Sequence, residues 1–329
     1  MHHAKLRGSY EQMGHQQGRP LKRIGFTLEP PEEKMLRFAK RCEEIVGRYA
    51  PELLDEMHGL AEAADLDYEA LATLILTAPF DPDDVPSCSV VAVTSERTED
   101  GRPIVGRNYD YFYDVSKEGA TTYRTYPEGR YASLGNCDIW VGRADGLNEA
   151  GLFVGTAGIF FPGLKPGLPF WLAVRLVLDR CATVDEGLTL LQSVPHARSW
   201  AYLLADRSSK AVVVEATVDG IETRYPEDGL LVMTNHAVCP ALAGRERFVP
   251  PDSHLRYNRL HELLGGNRGI DDVVKQALRD HKGLVCSHGA YFPERKFGTL
   301  WSVVGHPDER RLDIAEGHPC RAKYRTVSF

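Results

Sequence analysis

The apolar residues of this chain change their period once, and the change falls at one short stretch. Before it they recur at helical spacing. Met35, Phe38, Ala39, Cys42, Ile45, Val46 and Tyr49 make one stripe, and Leu53, Leu54, Met57, Leu60, Ala61 and Ala64 make another. Pro51 suits the first position of the second helix, where its missing N–H costs nothing. A third short helix is expected around residues 68–75. Then comes Pro79-Phe80-Asp81-Pro82-Asp83-Asp84-Val85-Pro86, rich in proline and acid and hostile to helix and central strand alike. Beyond it strands dominate, beginning with the run that Cys88 heads, Val90–Val93. The boundary therefore divides a helical segment, 1–87, from a strand-rich part, 88–329, the two together forming one compact unit.

The stretch after the boundary carries the most chemistry. Asp100-Gly101 tolerates the positive φ of a tight hairpin turn. A short strand, 103–105, then delivers Gly106-Arg107-Asn108-Tyr109-Asp110. If the strands on either side of the turn pair, Cys88, Arg107 and Asp110 reach the same end of one hairpin, and a thiol, a guanidinium and a carboxylate converge. Cys42 and Cys181 lie on apolar helical stripes and are expected in the core.

Further strands are expected at 138–141, 151–154, 201–205, 211–215, 230–234, 299–304 and 312–315. Helices are expected over 169–181, from the capping box Thr183-Val184-Asp185-Glu186 through Leu191, and over 254–264 and 271–278. Strands in groups with helices between them predict sheets covered by helices. At 329 residues the chain is long enough to bury a large core. A net charge of -7 gives no basic footprint for nucleic acid. No apolar run approaches the ~20 residues that span a bilayer, so no membrane is expected. The opening Met-His-His-Ala-Lys-Leu-Arg-Gly has no apolar signal core, and the seven cysteines are scattered with no Cys-x-x-Cys, which together predict a cytoplasmic setting. Cys286-Ser287-His288 and His318-Pro319-Cys320 offer thiols and imidazoles at one-residue spacing, unlike the usual zinc spacing of about two to four, so no metal is expected. Neither a phosphate-binding glycine loop nor a Gly-x-Ser-x-Gly elbow is present.

Several motifs recur in one order along nearly the whole chain. They are Gly8-Ser9-Tyr10 with Met13-Gly14 and Gly18; Pro51-Glu52-Leu53-Leu54-Asp55-Glu56 with Gly59-Leu60-Ala61; Cys88-Ser89; Gly106-Arg107-Asn108-Tyr109-Asp110; Asp145-Gly146-Leu147-Asn148-Glu149-Ala150-Gly151-Leu152; Thr234-Asn235-His236; and Gly317-His318-Pro319-Cys320. In these the sequence resembles the N-terminal-nucleophile (Ntn) hydrolases of the choloylglycine hydrolase and isopenicillin-N acyltransferase group, which includes acid amidases. The likeness is strongest to the acyl-CoA:6-aminopenicillanate acyltransferase branch.

The resemblance implies an α+β fold: a four-layer αββα sandwich of two antiparallel sheets with an N-terminal helical segment. It also implies self-cleavage at Ser87–Cys88, which would leave Cys88 with a free α-amino group as its base. The reference pKa of such a group, about 7.7–8.0, suits proton transfer near neutral pH. Cys88 is then the nucleophile on a linear amide, Asp110 holds the α-amino group, Arg107 lowers the thiol pKa or holds a substrate carboxylate, and Asn235 supplies the oxyanion hole. Gly158 is expected to add a backbone donor, Tyr109, Tyr111 and Phe160 to line an acyl pocket, and Arg295 to clamp a substrate carboxylate. Glycine commonly precedes the nucleophile in this branch; here it is Ser87, whose side chain narrows the backbone conformations at the scissile bond. No cofactor is implied, coenzyme A entering only as an acyl donor. The expected partners are a small amide or thioester and the cleaved segment, which stays bound; homo-oligomerisation is left open. Two other readings remain: an unprocessed acyltransferase with a coenzyme A or carrier-protein donor and His236 as base, and a catalytically silent binding protein.

Overall fold

The computed structural model describes residues 1–77, 87–113, 119–266, 271–289 and 296–329. Its strands form two sheets. One runs, edge to edge, β1 (His2–Gly8), β4 (Thr121–Pro127), β5 (Ser133–Cys137), β6 (Asp145–Asn148), β7 (Leu152–Gly158), β8 (Trp200–Asp206), β9 (Ala211–Ala216) and β10 (Ile221–Arg224). The other runs β11 (Leu230–Met233), β2 (Ser87–Val93), β3 (Ile104–Phe112), β12 (Phe297–His306), β13 (Arg311–Glu316) and β14 (Arg325–Ser328). Around them lie helices α1 (Tyr10–Arg23), α2 (Glu33–Tyr49), α3 (Pro51–Ala64), α4 (Tyr68–Thr77), α5 (Phe170–Arg180), α6 (Val184–Ser193), α7 (Ser253–Gly265) and α8 (Asp271–Leu278).

Strand alternation builds the layers. In β2, Val90 and Ala92 join the core between the sheets, whereas Val91 and Val93 join a second cluster with Leu260 of α7 and Val274 and Leu278 of α8. In β7, Phe153 faces inward, while Leu152 and Val154 pack with Val174 and Val177 of α5 and Leu191 of α6. Each sheet is therefore apolar on both faces, and the order is helices, sheet, sheet, helices. The fold is the expected α+β sandwich, with one departure: β1 pairs with β4 in parallel, so the larger sheet is not wholly antiparallel.

The N-terminal segment is not all helical, since β1 extends the larger sheet at its edge. Ser9 then caps α1 in a box with Gln12, its hydroxyl taking the Gln12 N–H at 3.3 Å. Helices α1 and α3 cross at backbone contact distance. A methyl group on Gly14 would lie 2.1 Å from Glu56 O, and one on Gly59 would lie 2.2 Å from Glu11 O. That close approach is the physical content of the glycines in the opening motif.

Two local expectations need correction. Residues 138–141 are not a strand; β5 ends at Cys137. Val141 has φ +68°, its N–H goes to Gln17 Oε1 and its carbonyl accepts from Arg175 Nη1, so side chains take the place of a ladder. Asp100-Gly101 does lie between two paired strands, with Gly101 at φ +70°, but Val93 pairs with Ile104 and the connection is residues 94–103 rather than a two-residue turn. The proline-rich stretch 79–86 lies outside the described residues.

A candidate active site at the head of β2

The β2–β3 register sets the site. Ser87 pairs with Asp110, Cys88 with Tyr109 and Val90 with Arg107. Paired residues share a face, so Cys88, Tyr109 and Arg107 look into the space between the sheets. Ser87 and Asp110 look toward α7.

On the inner face, Arg107 Nη2 lies 3.7 Å from Cys88 Sγ. The guanidinium is fully buried and ion-paired with Asp145, and it donates to Thr156 O from Nε at 3.2 Å and from Nη2 at 3.1 Å. Asp145 in turn accepts from Asn136 Nδ2 and from Trp301 Nε1, both at 2.7 Å. A buried pair is tolerable when its remaining hydrogen-bonding capacity is satisfied in this way. Burial pushes the Cys88 thiol pKa up, against the pull of Arg107.

The Cys88 N–H donates to Asn235 Oδ1 at 2.6 Å. That oxygen also accepts from Arg256 Nη2 at 3.0 Å, while Asn235 Nδ2 donates to Gly158 O at 3.0 Å. Two donors on one end and a carbonyl on the other leave a single sensible orientation for this amide. The Asn235 backbone N–H is held by Ser253 Oγ at 2.9 Å.

On the outer face, Asp110 Oδ1 accepts from Thr299 Oγ1 at 2.6 Å, and its buried Oδ2 has no hydrogen-bond partner among the described residues. Burial raises its pKa to about 7. Arg256, fully buried on α7, donates to Cys88 O, to Ser89 Oγ at 3.2 Å and to Ser87 Oγ at 2.7 Å, and pairs with Asp252 at 3.1 Å.

The structure thus brings Cys88, Arg107, Asn235 and Ser87 into direct contact, with Asp110 directly across from Ser87. Gly158 is there too, but in contact through its carbonyl. Tyr109 stacks on Trp301 at 4.0 Å and donates to Asp138 at 2.9 Å, and Tyr111 lies 6.1 Å from Tyr109, ring to ring. Phe160 bridges to Phe248, their rings 5.8 Å apart. All three expected pocket aromatics are buried. His236 turns away, its Nδ1 2.8 Å from Ser253 Oγ and its ring 4.0 Å from that of His254; burial, His254 and Arg256 lower its pKa to about 3. Arg295 lies outside the described residues.

Sequence reasoning passed over Arg256, Asp145 and Thr299. For Arg256 a signal existed: Ser253, Arg256, Leu260 and Leu264 are the buried residues of α7, so an arginine sits on the apolar stripe of a helix. A charge in that position needs a buried partner.

Two apposed sheets between helices, with a cysteine at the head of an inner strand, define the N-terminal-nucleophile hydrolase architecture. Penicillin V acylase from Agrobacterium tumefaciens has this fold in common with the chain at TM-score 0.53 and 18% identity, over 74% of this chain and 86% of that one. A variant of conjugated bile acid hydrolase from Clostridium perfringens matches at TM-score 0.50 and 15% identity, over 74% and 97%. Residues 97–321 match the model of the acyl-coenzyme A:6-aminopenicillanic acid acyl-transferase family, and the chain belongs to that family. The matched range begins after Cys88. An uncharacterised protein of Archaeoglobus fulgidus is 24% identical over 335 residues, covering 82% of this chain and 56% of its own length; the chain spans little more than half of that relative.

Proposed function

We propose that this chain cleaves itself at Ser87–Cys88 and then acts as a cysteine amidohydrolase or acyltransferase on a small linear amide. The observation that carries the reading is the clamp on the Cys88 amide nitrogen, bonded to Asn235 while Arg107 stands against its sulfur.

In the first step the Cys88 thiol adds to the Ser87 carbonyl carbon. The Ser87–Cys88 C–N bond breaks, the thiol proton passes to the departing nitrogen, and a thioester remains. Water then adds to that carbonyl; its proton returns to sulfur, and Ser87 leaves as a carboxylate. Cys88 now carries an α-amino group next to Asp110, whose unpartnered oxygen is a ready acceptor for an ammonium.

In turnover the α-amine takes the thiol proton. The thiolate adds to the substrate carbonyl, and the α-ammonium protonates the leaving amine. An acyl–Cys88 thioester forms, which water or a second amine resolves. Asn235 Nδ2 supports the oxyanion, a kind of donor worth about 2.7–4 kcal/mol in a transition state. Cys88 is 1% exposed in the whole chain, so substrate reaches the sulfur only after a local rearrangement. Residues 1–87, tied to the rest through β1 and α3, remain bound as a second chain. Coenzyme A enters only as one form of acyl donor. His236 is a poor base for a thiol whose own pKa is raised, so the unprocessed reading has less support.

The test is the intact mass of the purified protein beside Cys88→Ala. Wild type is expected as two pieces divided at Ser87–Cys88, and the variant as one. Two whole chains would overturn the self-cleaving mechanism.

A further inference from the structure

Four side chains from three stretches of chain converge beside Ser287. His281 follows α8, Cys286 and His288 flank Ser287, and Cys320 follows β13. Their ligating atoms all lie within 4.8 Å of one another. His288 Nε2 is 3.6 Å from Cys286 Sγ and 3.4 Å from Cys320 Sγ. With Zn–S near 2.3 Å and Zn–N near 2.0–2.1 Å, a tetrahedral ion sets sulfur and nitrogen about 3.5 Å apart. Both separations fall there before any ion is added. We propose that His281, Cys286, His288 and Cys320 bind a zinc ion.

The one-residue spacing that argues against zinc in the sequence loses its force here. The ligands come from three stretches of chain, and the spacing within one stretch does not report how they meet. Thiolate and imidazole in a four-ligand set select zinc over harder cations. Both thiol protons pass to solvent on binding, and the two thiolates neutralise the ion, so no further counter-charge is needed. The other two clusters of potential ligands among the described residues lack these features. In the cluster of Asp271, His306 and Asp313, the two aspartates already share Lys275, whose Nζ is 2.6 Å from Asp271 and 2.8 Å from Asp313. Glu11, His15 and Glu62 hold no thiol, and both carboxylates are exposed.

The position gives the ion a task. Ser287, between two ligands, donates its N–H to Thr299 Oγ1 at 3.0 Å, and the same hydroxyl donates to Asp110 Oδ1 at 2.6 Å. Zinc therefore fixes the segment that holds Thr299 against Asp110, and Asp110 is positioned through it. The effect on cleavage rests on the function proposed above; binding of the metal does not.

The experiment is metal analysis of the full chain, made without a histidine tag and purified without chelator, with zinc titration of the reduced, metal-stripped protein. About one zinc per chain is expected. Cys320→Ser, checked by circular dichroism for an intact fold, should bind at least ~10-fold more weakly, and His15→Ala should bind as wild type does. Cobalt loading should produce thiolate-to-metal absorption, independent of catalysis. Reduced wild type that takes up neither zinc nor cobalt, a cobalt spectrum without that absorption, wild-type affinity in Cys320→Ser, or a Cys286–Cys320 disulfide in protein isolated without oxidant would each overturn the site. Normal metal binding in a chain that stays whole would leave the zinc site standing and count against self-cleavage alone.

Discussion

The amide nitrogen of Cys88 donates to Asn235 Oδ1 at 2.6 Å, across 147 positions of sequence. In the proposed self-cleavage the departing nitrogen is thus held by the residue proposed for the oxyanion in turnover. Asn235→Ala removes both functions. Self-cleavage and the kcat of the processed enzyme are each expected to fall by about 10²–10³, read by densitometry of the two fragments over time and by amide turnover. Asn235→Asp, which keeps the acceptor but loses the donor, should cleave better than Asn235→Ala and turn over no better.

Arg107 and Asp145 are both fully buried, and each is the other's ion partner. Truncating Arg107 to Ala leaves a carboxylate in the core and is expected to destabilise the fold by about 3–5 kcal/mol. Arg107→Gln combined with Asp145→Asn removes both charges and should recover most of that loss in urea denaturation. The double variant should remain slow in chemistry, because the guanidinium 3.7 Å from the sulfur is then gone.

Asp110 supplies a pH signature. Its carboxyl is raised by burial from 3.8 to about 7, so the folded state favours the protonated form. Its contribution to stability is full below pH 3.8 and is lost as pH rises to about 7, at up to ~1.4 kcal/mol per unit. In a Cys88→Ala background, which removes cleavage, the stability difference between Asp110 and Asp110→Asn proteins should change across that window. Across it Asp110→Asn gains on its parent. A difference independent of pH would mean that this carboxyl is not shifted.

The N-terminal segment is tied to the rest by buried charge as well as by β1. Arg175 pairs with Glu56 at 3.1 Å and Asp179 at 2.8 Å, and Tyr10 donates to Asp179 at 2.8 Å. After cleavage the fragment 1–87 is expected to co-elute with 88–329 in size-exclusion chromatography and to separate only in denaturant. Gly14→Val, whose side chain would run into Glu56 O, should cost about 1–3 kcal/mol or more and release the fragment at lower urea.

Much of this was open to a reader of the sequence. The helical stripes of α2 and α3 and the paired strands at 201–205 and 211–215 all follow from local periodicity, and the structure has them. The meeting of Cys88 and Arg107 could be anticipated because strands close in sequence pair with their neighbours, but the register turns Asp110 to the other face beside Ser87. What periodicity cannot convey is which buried charge answers which. Arg256 reads as one more helical arginine until Cys88 O, Ser87 and Asn235 are seen around it. Cys286 and His288 read as a poor metal motif until His281 and Cys320 arrive from elsewhere. By itself the sequence determined helices α2 to α8 and the strand that carries Cys88, but not β1, β4, β5 or β14, since backbone geometry and apolar spacing act over a few residues. Only the tertiary structure decided the partners of the buried polar groups. Those are set by which distant segments share a water-free space, and an unpaired charge there costs more than any local preference can supply.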